Sequence, residues 1–214
     1  QAQERVGENI DGDEDGVSDE LTTADTTALT LFQASLPSPV ITIPESSLAR
    51  NYIQRGERIF TEIGCAECHK PYLELNDPIF TEPNPYNPPG TLQLNSIPDK
   101  YNLNLLERSD SSVVQRTPQG TYLIYAYTDL KRHDMGPILA NETVDQRYVE
   151  PQTWITKKLW GMASEPPFLH HGRATLLEQA ITAHGGDAKE SKFLFNGLLA
   201  DDQIAVIEFL KTFQ

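Results

Sequence analysis

Three residues have types and spacing that specify a chemistry: Cys65, Cys68 and His69, in the stretch "IGCAECHKP". Cys65 and Cys68 are the only two cysteines in the chain. Cys-x-x-Cys-His is the attachment signal of c-type haem. Two thiols about one helical turn apart can reach two vinyl groups, and His69 then faces the iron as the proximal ligand. Zinc is the first competitor, but it needs four ligands, usually with a second pair three to five residues apart. The adjacent His170 and His171 fit that spacing badly. A redox dithiol normally sits beside a βαβ pattern, which is missing here. A disulfide spanning two residues is rare. The motif therefore predicts one covalent haem c. Haem c is attached outside the cytoplasm, so the expected location is periplasmic or otherwise extracytoplasmic.

A second constellation lies near the start. "DGDEDGVSDE" sets Asp11, Asp13 and Asp15 at alternate positions before Gly16, as in the first half of an EF-hand calcium loop. Alternate carboxylates converge on one cation, and glycine allows the sharp turn. Position 22, where the loop's closing Glu belongs, is Thr22. Asp19 or Glu20 is the available replacement, with Val17 offering a backbone carbonyl. A calcium ion held by Asp11, Asp13, Asp15 and Glu20 stands against a merely solvated acidic segment.

The elements that must position these residues are short and widely spaced. Hydrophobic residues make up 38% of the 214, which allows one packed core with much loop. The net charge is −14, and residues 1–25 hold nine acids against one arginine. Nucleic-acid binding is excluded by that sign, because phosphate contacts need a basic face. No apolar run is long enough to span a membrane, and no signal peptide is visible. A chain starting at Gln1 reads as processed or cut from a longer one. "TTALTLFQASL" and "SLARNYIQRGERIFTEIG" read as helices, the second carrying Ile53, Gly56, Ile59, Phe60 and Ile63 at helical spacing. Residues 71–120, rich in proline, read as a long irregular segment. "TYLIYAYTDL" reads as a short strand and "PQTWITKKLWG" as a helix-like turn. Thr175 precedes the helix "LLEQAITAH", closed by Gly185 and Gly186, and Asp201 or Asp202 opens the last, "DQIAVIEFLKTF".

Several stretches together resemble a known family. "GERIFTEIGCAECHKPYL", "YTDLKRHDMGPILA", "KLWGMASEPPFLHHGRATLLEQAITAHGG" and "IEFLKTF" are similar to the bacterial di-haem cytochrome c peroxidase superfamily. The branch they most resemble is that of the di-haem oxidoreductases, also called thiol oxidoreductases. "DGVSDELTTADTTALTLFQASLPSPV" is similar to the same branch. The resemblance covers most of the chain from about Asp11. The family carries one haem motif in each half, whereas this chain has one, so it resembles the C-terminal half alone. That half holds the electron-accepting haem in the peroxidases. His171 stands where the common pattern His-Asp-Gly has Asp.

For the iron's sixth ligand the candidates are His133, His170, His171, His184, Met135 and Met162. The family resemblance implies an axial Met near the end of the helix after the His-Asp-Gly loop, and in this chain His184 occupies that place. The competing reading has His184 simply favouring a helix C-terminus. Arg173 is a candidate partner for a haem propionate, and Trp154 and Trp160 are candidates to pack on the ring or in the core. The expectation is a mostly α fold: a cytochrome c-like haem domain over residues 46–214, with a long irregular insertion and a small β element. Residues 1–45 are expected as an acidic extension. Cys65, Cys68, His69 and His184 would hold a bis-histidine haem that passes single electrons to a redox partner, such as another haem protein or subunit. A peroxidase or other haem oxidoreductase, alone or with a second haem-bearing chain, is the alternative.

Overall fold

The computed structural model describes Gly16, Ser18 and residues 21–141 and 149–214. Its helices, in chain order, are α1 (Thr23–Ser35), α2 (Ser47–Glu62), α3 (Leu177–Ala183), α4 (Lys189–Gly197) and α5 (Ala200–Leu210). Its strands are β1 (Leu73–Leu75), β2 (Ile79–Glu82), β3 (Tyr101–Asn104), β4 (Val114–Arg116), β5 (Tyr122–Ile124), β6 (Arg132–Asp134) and β7 (Thr153–Ile155). Among the described residues no helix is long and apolar enough to cross a membrane.

Two compact units divide these elements. One comprises the described residues up to Ser38 together with Asn76–Asp110. Here α1 starts on a reciprocal cap: the Asp25 amide donates to Thr22 Oγ1 and the Thr22 amide donates to Asp25 Oδ2, which satisfies two amide donors the helix cannot use. Strands β2 and β3 pair antiparallel, with Phe80 opposite Leu103.

The other unit, Pro39–Leu75 with Ser111–Gln214, holds the main core. Helices α2 and α5 cross at Gly56, where an added Cβ would run into the Ala205 carbonyl and lie 3.0 Å from Phe209 Cβ. That close approach lets Phe60 reach Phe209 at a centroid distance of 5.4 Å, with Tyr127 and Phe213 completing an edge-to-face ring cluster. The chain end is tied down by paired backbone bonds between Val40 and Gln214. Strands β1, β5 and β4 form one antiparallel sheet, and β6 pairs with β7 so that His133 faces Trp154.

The mostly-α expectation is corrected. Among the described residues, 37% are helical and 14% strand, with three small sheets, a mixed α/β architecture. The segment expected to be irregular contains β1 to β4, and "PQTWITKKLWG" supplies β7 rather than a helical turn. These strands are three or four residues long, too short for a period of two to stand out. Helix α4 was not expected from the sequence.

Candidate functional site

Helix α2 leads straight into the cysteine motif. Gly64 takes a left-handed backbone, φ 86°, which ends the helix and starts a 3-10 turn over Cys65–Glu67. The Cys68 and His69 amides both donate to the Cys65 carbonyl, the latter at 3.0 Å, so the turn fixes the two cysteines and the histidine as one unit. Cys65 and Cys68 form no disulfide. Burial pushes Cys65 up to about 12. Burial also raises Cys68, aided by Asp129, Asp187 and Glu67. Thiols held in the neutral form are poor nucleophiles, which argues against a redox dithiol.

His69 donates from Nδ1 to the Tyr127 carbonyl at 2.9 Å. A carbonyl can only accept, so the proton sits on Nδ1 and Nε2 keeps a bare lone pair. Burial holds this imidazole down at about 4, against the Tyr127 hydrogen bond, so it is neutral near pH 7. His184, at the end of α3, repeats the arrangement: Nδ1 donates to the Ala180 carbonyl at 2.7 Å, and burial lowers its pKa. The two rings are close enough for a charge on His184 to lower His69 further. The fold thus brings together two neutral imidazoles, each with Nδ1 engaged and Nε2 free, beside two thiols. This donor set fits a haem iron with axial nitrogen ligands and thioether anchors.

Glycines seat His184. Gly185 and Gly186 follow it directly, and an added Cβ at Gly185 would lie 2.9 Å from the Met135 carbonyl. At Gly186, φ 48°, a Cβ would run into the Asp134 carbonyl. The β6 end therefore packs onto backbone that only glycine permits.

Beside Cys68 lies His133, a sequence candidate for the iron, paired with Asp129, which the sequence reading missed. His133 Nε2 donates to Asp129 Oδ2 at 2.9 Å, and His133 Nδ1 faces Cys68 Sγ at 3.9 Å. Burial works to raise Asp129, but the Lys131 amide, the Thr156 hydroxyl and His133 outweigh it and hold the carboxyl at about 2. "DLKRH" carries no helical or strand period at this point, so the Asp129–His133 pairing had no sequence signature. Tyr127 and Leu130, which flank Asp129, and Leu169, beside His170, all have positive φ without being glycine; such strain gathers at functional sites.

The remaining candidates are placed as follows. His170 stacks on Trp154 at 3.7 Å, with His171 next to it at 4.5 Å. Trp154 donates to the Leu139 carbonyl, and Trp160 to the Tyr125 carbonyl. The exposed Arg173 points its guanidinium at the Asn141 side-chain oxygen. Met162 packs against the core, and the Met135 amide donates to the Gln152 carbonyl. Asp11, Asp13, Asp15 and Glu20 lie outside the described residues.

Among curated proteins and solved structures, none matches the chain. The family model described as "Di-haem oxidoreductase, putative peroxidase" matches residues 116–213, a span that takes in Tyr127, Asp129, His133, the His170–Arg173 loop and His184. By that match, the C-terminal region of the chain carries the pattern of the di-haem oxidoreductases, a family of haem-bearing redox proteins.

Proposed function

We propose that this chain is a c-type electron-transfer protein with one covalent haem, its iron held between His69 and His184 and its porphyrin anchored by Cys65 and Cys68. The observation that carries the reading is the matched pair of imidazoles, each donating Nδ1–H to a backbone carbonyl and each keeping Nε2 bare. When bound, the haem supplies a one-electron couple whose potential the axial ligands tune. The Tyr127 and Ala180 carbonyls fix the two rings' tautomer and orientation and raise their basicity as ligands. Burial keeps both rings unprotonated, so neither must lose a proton before it binds a metal. The hydrophobic wall of Phe60, with its ring 6.2 Å from that of His69, limits water at this side. Haem c attachment places the protein outside the cytoplasm, where a redox partner protein would exchange electrons with it.

The family description also names a peroxidase, which requires a vacant axial position. A ferric absorption spectrum of the haem-loaded protein, taken before and after hydrogen peroxide, separates the two readings. A low-spin spectrum unchanged by peroxide, without the methionine–iron charge-transfer band, supports bis-histidine electron transfer. A high-spin spectrum that peroxide alters overturns it in favour of the peroxidase.

A further inference from the structure

The β6–β7 pair carries a surface whose sign is opposite to the chain's net charge of −14. Leu130, Lys131 and Arg132 lie on one strand side, Ile155, Lys157 and Lys158 on the other, and all six are exposed. Arg132 stands opposite Ile155 in the antiparallel register, so these two side chains share a face. The Thr156 amide donates to the Lys131 carbonyl at 2.9 Å, and the Thr128 amide donates to the Lys70 carbonyl at 2.9 Å. The Thr128 hydroxyl donates to the Thr156 carbonyl at 2.6 Å and accepts from the Leu130 amide at 3.0 Å. These bonds gather Lys70, Lys131, Arg132 and Lys157 around Leu130. Among the described residues, none of these four cations is in an ion pair. Asp129, the acid within the group, is already engaged by His133 Nε2 at 2.9 Å.

Leu130 is the centre of this surface. It is 62% exposed, with Ile155 at 59%, and it holds a left-handed backbone, φ 55°. That backbone suits glycine, and that exposure suits a polar side chain. Folding of the chain alone gains from neither, so leucine here is explained by a second surface that covers it.

We propose that Leu130 and Ile155, rimmed by Lys70, Lys131, Arg132 and Lys157, dock a protein partner whose contacting face is an apolar hollow edged with carboxylates. The chain's net charge does not forbid an acidic partner. Nine of its acids fall within residues 1–25, and at physiological salt the screening length is about 8 Å. The groups that face one another therefore decide. The cations set on-rate and specificity, and the two apolar side chains supply the burial. Lys70 directly follows His69, so the surface borders the Cys65–His69 turn. That the partner exchanges electrons there rests on the haem reading; the docking does not.

The test uses the full haem-loaded chain against an immobilised acidic blue-copper protein that carries carboxylates around an apolar patch, read by biolayer interferometry. Binding is expected at about 10 mM salt and should weaken by about 10-fold or more at about 150 mM. Lys131→Glu and Lys157→Glu should each weaken it by about 5–10-fold, mainly through a slower on-rate. Leu130→Gly should lose about 10-fold through a faster off-rate. Glycine suits the backbone there, so this variant should unfold at about the parent's temperature and report on docking alone. Arg50→Glu makes the same charge change on α2 and should stay within about 2-fold of the parent. No binding at low salt overturns the proposal. So does an equal loss in Arg50→Glu, which would mean net charge alone, and so does unchanged affinity in Leu130→Gly. Sedimentation with phosphatidylglycerol vesicles, without binding to the protein probe, would assign the surface to a lipid partner instead. Binding is read without electron transfer, so its loss leaves the haem reading intact, and a spectrum that overturns bis-histidine ligation leaves the docking result standing.

Discussion

His69 Nδ1 and the Tyr127 carbonyl oxygen lie 2.9 Å apart, and Tyr127 presents that carbonyl from a left-handed backbone, φ 49°. A non-glycine residue in that region costs about 1–2 kcal/mol. Glycine would avoid the cost, but it would forfeit the buried ring, which packs 4.7 Å from Phe213 and whose hydroxyl donates to Glu57. Burying a large aromatic is worth about 2–3 kcal/mol, so packing wins. The same residue thereby closes the core and fixes the tautomer of the candidate ligand.

His184 is the residue whose replacement tests the axial assignment most directly. In the haem-loaded protein, His184→Ala should convert the ferric spectrum from low spin to high spin and open the iron to peroxide. His184→Met should stay low spin, gain the methionine–iron charge-transfer band and raise the reduction potential, because thioether ligation favours the reduced iron. Optical spectra with a potentiometric titration check both. An unchanged spectrum in His184→Ala would remove this residue from the iron.

Gly56 should behave against its propensity. In an open helix interior, Gly→Ala gains about 0.5–1 kcal/mol. Here the new methyl would meet the Ala205 carbonyl, backbone that cannot rotate aside. Gly56→Ala should instead lose about 1–3 kcal/mol, measured by urea unfolding of the haem-free chain. A gain would show that the α2–α5 crossing can open without penalty.

Some of this was legible in the sequence. The Cys65–His69 motif was legible from spacing alone, because attachment chemistry demands particular residues at fixed intervals; Gly56 stood out only as a member of the helical spacing of α2. His184 came from the family resemblance. The strands were not legible: Leu73–Leu75 or Thr153–Ile155 is too short to show a period, and each exists only through its partner across the sheet. The Asp129–His133–Cys68–Asp187 group was hidden for a related reason. Its members come from three separate segments, and backbone packing at Gly185 and Gly186 is what brings the last of them to β6.

Gly186 and Gly197 should part company under the same substitution. Gly186 has φ 48° and abuts the Asp134 carbonyl, whereas a Cβ at Gly197 meets nothing within 4 Å. Gly186→Ala combines backbone strain with a clash and should cost about 2 kcal/mol or more. Gly197→Ala should be neutral or stabilise by about 0.5 kcal/mol. Thermal unfolding of the two variants in parallel gives the comparison. Hydrogen exchange should also show the amides around His184 losing protection in the first variant alone.

Asp129 should set part of the acid limb of stability. Its carboxyl is held at about 2, below the ordinary 3.8. Near pH 3 the unfolded chain therefore binds a proton there that the folded chain does not. Stability from this group is complete above about pH 4 and is lost as the pH falls from about 4 to about 2. The shift corresponds to at most about 2.5 kcal/mol, and solvent screening reduces that to about 1 kcal/mol. In Asp129→Asn the side-chain oxygen can still accept from the Lys131 amide, which donates to Asp129 Oδ1 at 2.9 Å. Its NH2, however, meets the His133 Nε2 proton and forces it to Nδ1. The variant should be less stable than the parent by about 1 kcal/mol at pH 6, and the gap should close at pH 2. Urea midpoints across that range measure it. A gap that persists at pH 2 would show that the loss comes from packing rather than from the carboxylate.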